Sequence, residues 1–318
     1  MKAFQVTSIG SPPQLLDVPD PLPGPGQALL AVRAAGLNFA DLLMMRGQYQ
    51  DTPPAPFTLG MEVCGTILSL GPDTQGPPPG TRVAVFGGQG GLAERGVFPA
   101  ALCRPVPDAM TDAQAAGFQV AFGTAHLALT RRARLRAGET LVVTGAGGGV
   151  GLTAVEVGAA MGARVIAIAR GEEKLAAARA AGAAHTIDAG ADLKAEVRAL
   201  GGADVVYDAV GGPGFTALLG ATNREGRIVV IGFASGEVPP VPANVLLVKN
   251  IDVMGFYWGG YLRFAPDALA ESLDSLMDWH MRGLIRTPVG ATFALDRAGE
   301  ALALLADRKA VGKIVVLP

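Results

Sequence analysis

Cysteine is scarce in this chain, with Cys64 and Cys103 the only two. Two thiols cannot build a disulfide framework, and they suit a reducing cytoplasm. Histidine is nearly as rare. His126, His185 and His280 show no ligand spacing, and no Cys-x-x-Cys pair occurs, so the usual spacing signatures of a metal site are missing. Neither sign of charge dominates: 26 Lys and Arg stand against 28 Asp and Glu, a net charge of -2, and no basic run or stripe points to nucleic acid. Long hydrophobic runs are also wanting. No apolar stretch reaches membrane-spanning length without Gly, Pro or charge, and the opening MKAFQVTSIG reads as a strand without the apolar core of a signal peptide. A soluble cytoplasmic protein with no membrane or nucleic-acid partner is the expectation.

What is abundant is apolar surface and chain punctuation. Half of the 318 residues are apolar and 17% are charged, so two domains with proper cores can form. Forty-four Gly and 23 Pro demand many sharp turns. They crowd the first part of the chain, where SPP, PDPLPGPGQ, GPDTQGPPPG and GGQGG separate short apolar runs at Lys2–Ser8, Ala28–Ala34, Glu62–Leu70 and Arg82–Phe86. That texture predicts a partly open β-barrel over residues 1–115, interrupted by one helix near Asn38–Arg46. From about Asp112 helical periodicity takes over, and strands and helices then alternate. Strands are predicted at Leu141–Thr144, Val165–Ala169, Thr186–Asp188, Val205–Ala209, Ile228–Gly232 and Ile251–Gly255, with helices at Val150–Met161, Glu172–Ala181, Leu193–Leu200 and Gly214–Thr222. These strands are Val/Ile runs without polar alternation, as parallel strands covered on both faces require. The fold class is therefore α/β, a doubly wound six-stranded parallel sheet over 116–258 inserted into the barrel domain. Residues 259–318 are expected to return to the first domain, with an amphipathic helix carrying Leu269, Leu273, Leu276 and Met277, a short helix at Ala301–Ala306 and a closing strand at Lys313–Leu317.

The stretch ETLVVTGAGGGVG, Glu139 to Gly151, joins a buried strand to a helix through a glycine-packed turn, A-x-G-G-x-G. It is a close variant of the dinucleotide-binding fingerprint, with Ala146 at the first small position. A pyrophosphate must approach the backbone N–H groups of Gly147, Gly148, Gly149 and Val150, and a Cβ at Gly148 would block it. The following helix turns its unpaired N–H groups and positive dipole end toward the phosphates, and Gly151 lets that helix pack closely. The acid that grips an adenosine ribose belongs about twenty residues further on, at the tip of the second strand. That tip is Ala169-Arg170-Gly171, with Lys174 one turn into the next helix. A guanidinium there pairs with a 2′-phosphate, so NADP(H) is the predicted coenzyme. By the same rule of ligands beyond strand carboxyl ends, Val210 and Gly211, and then Gly232, Phe233 and Ala234, should contact ribose and nicotinamide.

Several stretches together resemble the medium-chain dehydrogenase/reductase superfamily, and within it the zinc-free quinone oxidoreductase (zeta-crystallin-like) family. They are AAGLNFADLLMMRGQY (34–49), LGMEVCGTI (59–67), PPGTRVAVF (78–86), GTAHLAL (123–129), the glycine turn, VVYDAVGG (205–212), KNIDVMGFYWGGY (249–261) and VGKIVVLP (311–318). The resemblance covers nearly the whole chain. It implies a GroES-like barrel domain carrying an inserted Rossmann domain, and a homodimer. Zinc alcohol dehydrogenases place a Cys after the AAG segment and a His before the Glu. Here those positions hold Asn38 and Met61, before Glu62, and the cysteine-rich structural lobe is missing, so no metal is expected.

By resemblance, Asn38, Asp41 and Tyr49 line the acceptor cleft. Asn38 is the candidate for orienting coenzyme or substrate. Asp41 has two readings, a loop anchor or a proton relay. Tyr49 either donates to the acceptor oxygen or packs at the rim. Thr124 resembles a threonine near the nicotinamide, against a plain helix hydroxyl, while the neighbouring His126 reads as structural. Phe256, Tyr257 and Trp258 resemble a segment closing over the nicotinamide, adjoining a dimer interface. Arg308 either reaches the adenosine phosphate or is a surface charge. The family's tyrosine at the 2′-phosphate is Ala189 here. The activity implied is metal-free reduction of quinones by NADPH, without a Lewis acid to hold an alkoxide. The alternatives are reduction of alkenes conjugated to a carbonyl, or a non-catalytic NADPH-binding structural or RNA-associated protein.

Overall fold

Alternating apolar residues in the first hundred residues form strands half-turned to a core, and the Pro/Gly clusters turn the chain between them. A computed structural model describes residues 1–318 and divides them into two units, Met1–Val120 with Thr287–Pro318, and Ala121–Arg286.

The first unit begins with Lys2–Val6 (β1), Gln14–Asp17 (β2) and Gln27–Gly36 (β3), then the helix Phe39–Met45 (α1). Phe57–Thr58 (β4), Glu62–Leu70 (β5), Arg82–Phe86 (β6), Arg95–Pro99 (β7) and Arg104–Pro105 (β8) follow, before the short helix Asp112–Ala116 (α2) and the start of Gln119–Leu127 (α3). β3 is the axis of this unit. It pairs antiparallel with β5 and β7, and its end at Gly36 pairs with the last strand of the chain. Gly36 admits that crowding because a Cβ there would lie 2.4 Å from the Ala116 carbonyl oxygen. Strands β2, β7 and the returning Val289–Ala294 lie outside the predicted runs. β2 and β7 are short and interrupted by charged or Gly residues, so their apolar signal is weak.

The second unit is the alternating α/β layer. Its elements are Thr140–Thr144 (β9), Gly149–Ala160 (α4), Arg164–Ala169 (β10), Glu172–Ala180 (α5), His185–Asp188 (β11) and Leu193–Ala199 (α6). They continue with Ala203–Asp208 (β12), Gly212–Ala221 (α7), Thr222–Val230 (β13), Ala243–Lys249 (α8), Asp252–Gly255 (β14), Tyr261–Phe264 (α9) and Pro266–Met281 (α10). The six strands run parallel in the order β11-β10-β9-β12-β13-β14. The order therefore reverses between β9 and β12, the place where open α/β sheets bind ligands. One face is filled by Val142, Ile166, Val206 and Ile228 against Phe215 and Leu218 of α7, all buried. On the other face α4 closes down on β9, where a Cβ at Gly158 would meet a Leu141 methyl at 2.4 Å.

Residues 259 to 286, expected to rejoin the first domain, group with the second unit, and the return falls at Thr287. The physical reason is the stripe on α10. Leu269, Leu273 and Leu276 are buried, and the neighbouring Ser272 hydroxyl bonds to His126 of α3 at 2.8 Å. The chain then closes the first unit with Val289–Ala294 (β15), Ala298–Ala306 (α11) and Lys313–Leu317 (β16). No helix is long and apolar enough to cross a membrane.

Candidate functional site

Two sets of side chains gather, one in each unit. In the second unit, the carboxyl ends of β9 and β12 are joined by a short polar bridge. The Thr144 hydroxyl donates to Asp208 Oδ1 at 2.6 Å and accepts the Ala209 N–H at 3.0 Å. Asp208 also accepts the N–H groups of Val210 and Gly211, each at 3.2 Å. Gly211 and Gly212 take φ of 69° and 61°, which favours glycine. The bridge thus shapes the strand-end turn, and it brings Val210 beside Gly145, whose added Cβ would lie 3.2 Å from a Val210 methyl. The pair escaped sequence reading, although an Asp shortly before a Gly-Gly turn was the available signal.

The glycine turn has one open and one closed side. Gly148 caps α4 with φ -87° and ψ 171°, and no side chain caps the helix start. A Cβ on Gly148 would meet only the Gly145 carbonyl oxygen, at 3.5 Å, so that side of the turn is open. A Cβ on Gly151 would lie 2.1 Å from the same oxygen, so helix and turn touch there. Gly149 and Val150 form the first turn of α4 and leave their N–H groups without intrahelical partners. A cradle open at Gly148 and backed by a helix N-terminus fits a pyrophosphate. Gly147 has a different reason: its Cβ would collide with the Lys174 side chain at 2.5 Å. The lysine stem therefore lies across the turn. Partial burial, with Arg170 nearby, pulls the Lys174 ammonium below the usual lysine range.

Arg170 is exposed at the tip of β10. The next residue, Gly171, has φ 83° and donates its N–H to Asp188 Oδ2 at 2.9 Å, while Asp188 Oδ1 accepts the Gly190 N–H at 2.9 Å. Those two bonds hold the Asp188 carboxyl below the usual range. The acid that does stand close to this tip is thus engaged in shaping the Arg170 turn. Sequence reading missed it, since it comes from the third strand and not the second.

The other predicted positions of this unit fall at the same strand ends or behind them. Gly232 and Ala234 bond back to the Asp208 and Ala209 carbonyls at 3.4 and 3.2 Å, and Phe233 is exposed. Phe256 and Trp258 are packed inside the unit. Phe256 lies against Tyr261 with ring centres 5.5 Å apart, and Trp258 sits where a Cβ on Gly123 would reach Nε1 at 2.4 Å. Tyr257 is the half-buried member of the three. Thr124 is buried on α3 beside that indole seat. His126 is buried against Ser272 and Trp279, and burial pushes its pKa down to about 4, so it is neutral at pH 7.

The first unit gathers Asn38, Asp41, Glu62 and Lys313. Asp41, fully buried in the first turn of α1, accepts the Asn38 N–H at 2.8 Å and the Gly60 N–H at 3.1 Å. Burial raises its pKa to about 6, against the lowering effect of those two donors. The Asn38 amide is engaged on every side. Its Nδ2 donates to Glu62 Oε1 at 3.0 Å and to the Gly36 carbonyl at 3.4 Å, and its Oδ1 accepts from Lys313 at 2.8 Å. Met61 is buried beside Glu62. Lys313 and Glu62 lie within the family-like motifs, and no local pattern could have paired residues 251 apart. Tyr49 is half-buried in the turn after α1, where its carbonyl accepts the Thr52 hydroxyl. Arg308, exposed at φ 55° after α11, lies in the first unit.

Residues 24–108 match the alcohol dehydrogenase GroES-like domain, and residues 149–276 match the zinc-binding dehydrogenase family. The quinone oxidoreductase-like protein 2 homolog of Nematostella vectensis is 38% identical over 300 residues, 92% of this chain and 82% of its own. A quinone oxidoreductase of Thermus thermophilus, solved alone and with NADPH, is 38% identical with a TM-score of 0.89 over all of both chains. The mycobacterial Rv1454c, solved with NADPH, is 34% identical with a TM-score of 0.94 over all of both chains. More distant is prostaglandin reductase-3 of Mus musculus, 29% identical over 322 residues, 94% of this chain and 83% of its own.

Proposed function

The chain belongs to the medium-chain dehydrogenase/reductase superfamily, among its quinone oxidoreductase-like members, and from that premise we propose that it reduces quinones with NADPH and without a metal. The observation that carries the coenzyme reading is the pairing of an open glycine turn with two cations. Gly148 leaves room for a pyrophosphate, Lys174 lies across the turn, and Arg170 holds the tip where an NAD-selecting acid would stand. The two relatives solved with NADPH support the same choice.

When bound, NADPH supplies the hydride; the protein supplies position and electrostatics. The start of α4 and the N–H groups of Gly147, Gly149 and Val150 hold the pyrophosphate, while the Gly148 N–H donates to the Gly145 carbonyl at 2.9 Å and keeps the turn tight; Arg170 and Lys174 take the 2′-phosphate. Val210 and the Gly232–Ala234 turn receive ribose and nicotinamide, with Thr124 and the Phe256–Trp258 stretch behind them. Arg308 adds a further cation for the adenosine phosphates. Tyr49 is the donor to the acceptor oxygen, whose developing charge a hydroxyl can stabilise. The Asn38 amide and the Asp41 carboxylate, both engaged internally, keep their loop in shape.

The donor set supports the metal-free reading. Asn38 and Met61 are poor zinc ligands, and no cluster of three His, Cys, Asp or Glu side chains gathers. The kinship with prostaglandin reductase-3 favours a second reading, reduction of an alkene conjugated to a carbonyl. A panel of quinones and enones with NADPH and NADH tests both. Quinone turnover that survives chelation and prefers NADPH is expected. Turnover of enones alone selects the second reading, and tight NADPH binding without turnover of either class removes both. A homodimer in a reducing cytoplasm completes the proposal. Both thiols are buried, and β14 ends the six-stranded sheet with one edge unpaired by any strand.

A further inference from the structure

Lys313 is 4% exposed and Glu62 1%, so an ammonium and a carboxylate are both withdrawn from water in the first unit. The Lys313 Nζ lies 2.7 Å from Glu62 Oε1, 2.8 Å from Asn38 Oδ1 and 2.9 Å from the Leu37 carbonyl oxygen. Its three protons therefore have three acceptors, and two of these belong to the loop between β3 and α1. Glu62 works from the other side. Its Oε1 also accepts the Asn38 amide, and its Oε2 accepts the Val120 N–H at 3.0 Å. Two glycines make room for the arrangement: a Cβ at Gly117 would meet the Lys313 stem at 3.2 Å, and one at Gly36 would meet Glu62 Oε1 at 3.1 Å.

A buried ion pair is a poor way to gain stability, because the desolvation of two ions offsets much of their attraction and apolar residues of similar size often do as well. What such a pair supplies is a fixed geometry. Here it fixes Leu37 and Asn38 by backbone carbonyl and side-chain amide together. We infer that Lys313 and Glu62 are positioning residues for the reduction, acting through the Leu37–Asn38 loop and the first turn of α1 and touching neither coenzyme nor acceptor themselves. The inference rests on the proposed reductase reading, in which that loop borders the acceptor.

Four proteins test it: wild type, K313M, E62Q and the double variant E62Q/K313M. K313M alone strands a buried carboxylate and is expected to lower the melting temperature by several degrees, or to fail to fold. The double variant removes both charges and is expected to melt within a few degrees of wild type. Two readouts follow, each taken well below the melting point of the protein concerned. Amide hydrogen exchange over residues 36–42 should be about tenfold or more faster in the double variant. Its kcat should fall about tenfold or more while KM for NADPH stays within about twofold, the pattern of lost orientation and not lost binding. E62Q keeps the shape but leaves the Lys313 ammonium buried without its counter-charge, so it is expected to melt below the double variant. A double variant with wild-type stability and wild-type kcat overturns the inference. If wild type turns over no acceptor at all, the reductase reading fails on its own; the exchange readout then still decides the clamp, with faster exchange supporting it and unchanged exchange overturning it.

Discussion

Substituting Gly148 by Ala should separate folding from coenzyme binding. The backbone there, φ -87° and ψ 171°, is extended and open to any residue, and the new methyl would meet only the Gly145 carbonyl oxygen at 3.5 Å. Two small effects on stability oppose each other. Losing Gly at a helix cap in favour of Ala costs about 0.5–1 kcal/mol, and restricting the unfolded chain returns about 0.4–1 kcal/mol. The apo protein should therefore unfold within about 1 kcal/mol of wild type. Binding is another matter, since the methyl points into the open side where the pyrophosphate would lie. Loss of two charge-assisted N–H bonds at about 1.5–3 kcal/mol each predicts a Kd for NADPH raised by about 10²- to 10⁴-fold. The neighbouring substitution is the control. A Cβ on Gly151 would lie 2.1 Å from the Gly145 oxygen, so G151A should lose about 1–3 kcal/mol of apo stability through overpacking. Chemical denaturation without ligand and calorimetric titration with NADPH read the two effects separately. A G148A protein that binds NADPH as tightly as wild type would refute the cradle. So would a G148A protein that has lost its fold, because the open space would then not exist.

R170A should raise KM for NADPH by about tenfold or more, the loss of one ionic hydrogen bond of about 1.5–3 kcal/mol, while KM for NADH hardly changes; equal effects on both coenzymes would remove Arg170 from the 2′-phosphate. Y49F should lower kcat for quinones with KM for NADPH unchanged, and an unaltered kcat would return Tyr49 to a packing role. Burial lifts the Asp41 pKa from 3.8 to about 6, so the folded protein holds this proton more tightly than the unfolded chain does. Between about pH 4 and 6 this group therefore favours folding increasingly as pH falls, by about 3 kcal/mol across the window, and the advantage is lost as pH rises through 6. Measured as the difference in unfolding free energy between wild type and D41N, which cancels the other carboxylates, that trend should appear; a flat difference would show that Asp41 titrates normally. F215A, at a ring 1% exposed in the second unit's core, should cost about 3–5 kcal/mol in chemical denaturation.

How much of this was legible beforehand differs between the two units. In the second, local pattern and fold agree closely. The runs at 141–144, 165–169 and 186–188 are strands β9, β10 and β11 within a residue or so, because an unbroken Val/Ile run between helices has few other ways to be buried on both faces. The glycine turn and Arg170 also lie where spacing put them, since strand, turn and helix are contiguous and a short segment dictates its own geometry. In the first unit the pattern found β3, β5 and β6 but passed over β2, β7 and β15, whose pairing comes from distant partners.

The chain's one-dimensional order was enough, then, for the parallel sheet, for the glycine turn between strand and helix, for the family and for the character of the coenzyme. Each of these rests on residues a few positions apart. Tertiary structure alone decided what the scattered polar residues do. It turned Asp188 into the anchor of the Arg170 turn, sent Phe256 and Trp258 inward, and engaged the Asn38 amide with Glu62 and with a lysine 275 residues further on. Buried polar groups must find partners wherever the fold brings them, and which partners those are is a property of the folded chain and not of any window along it.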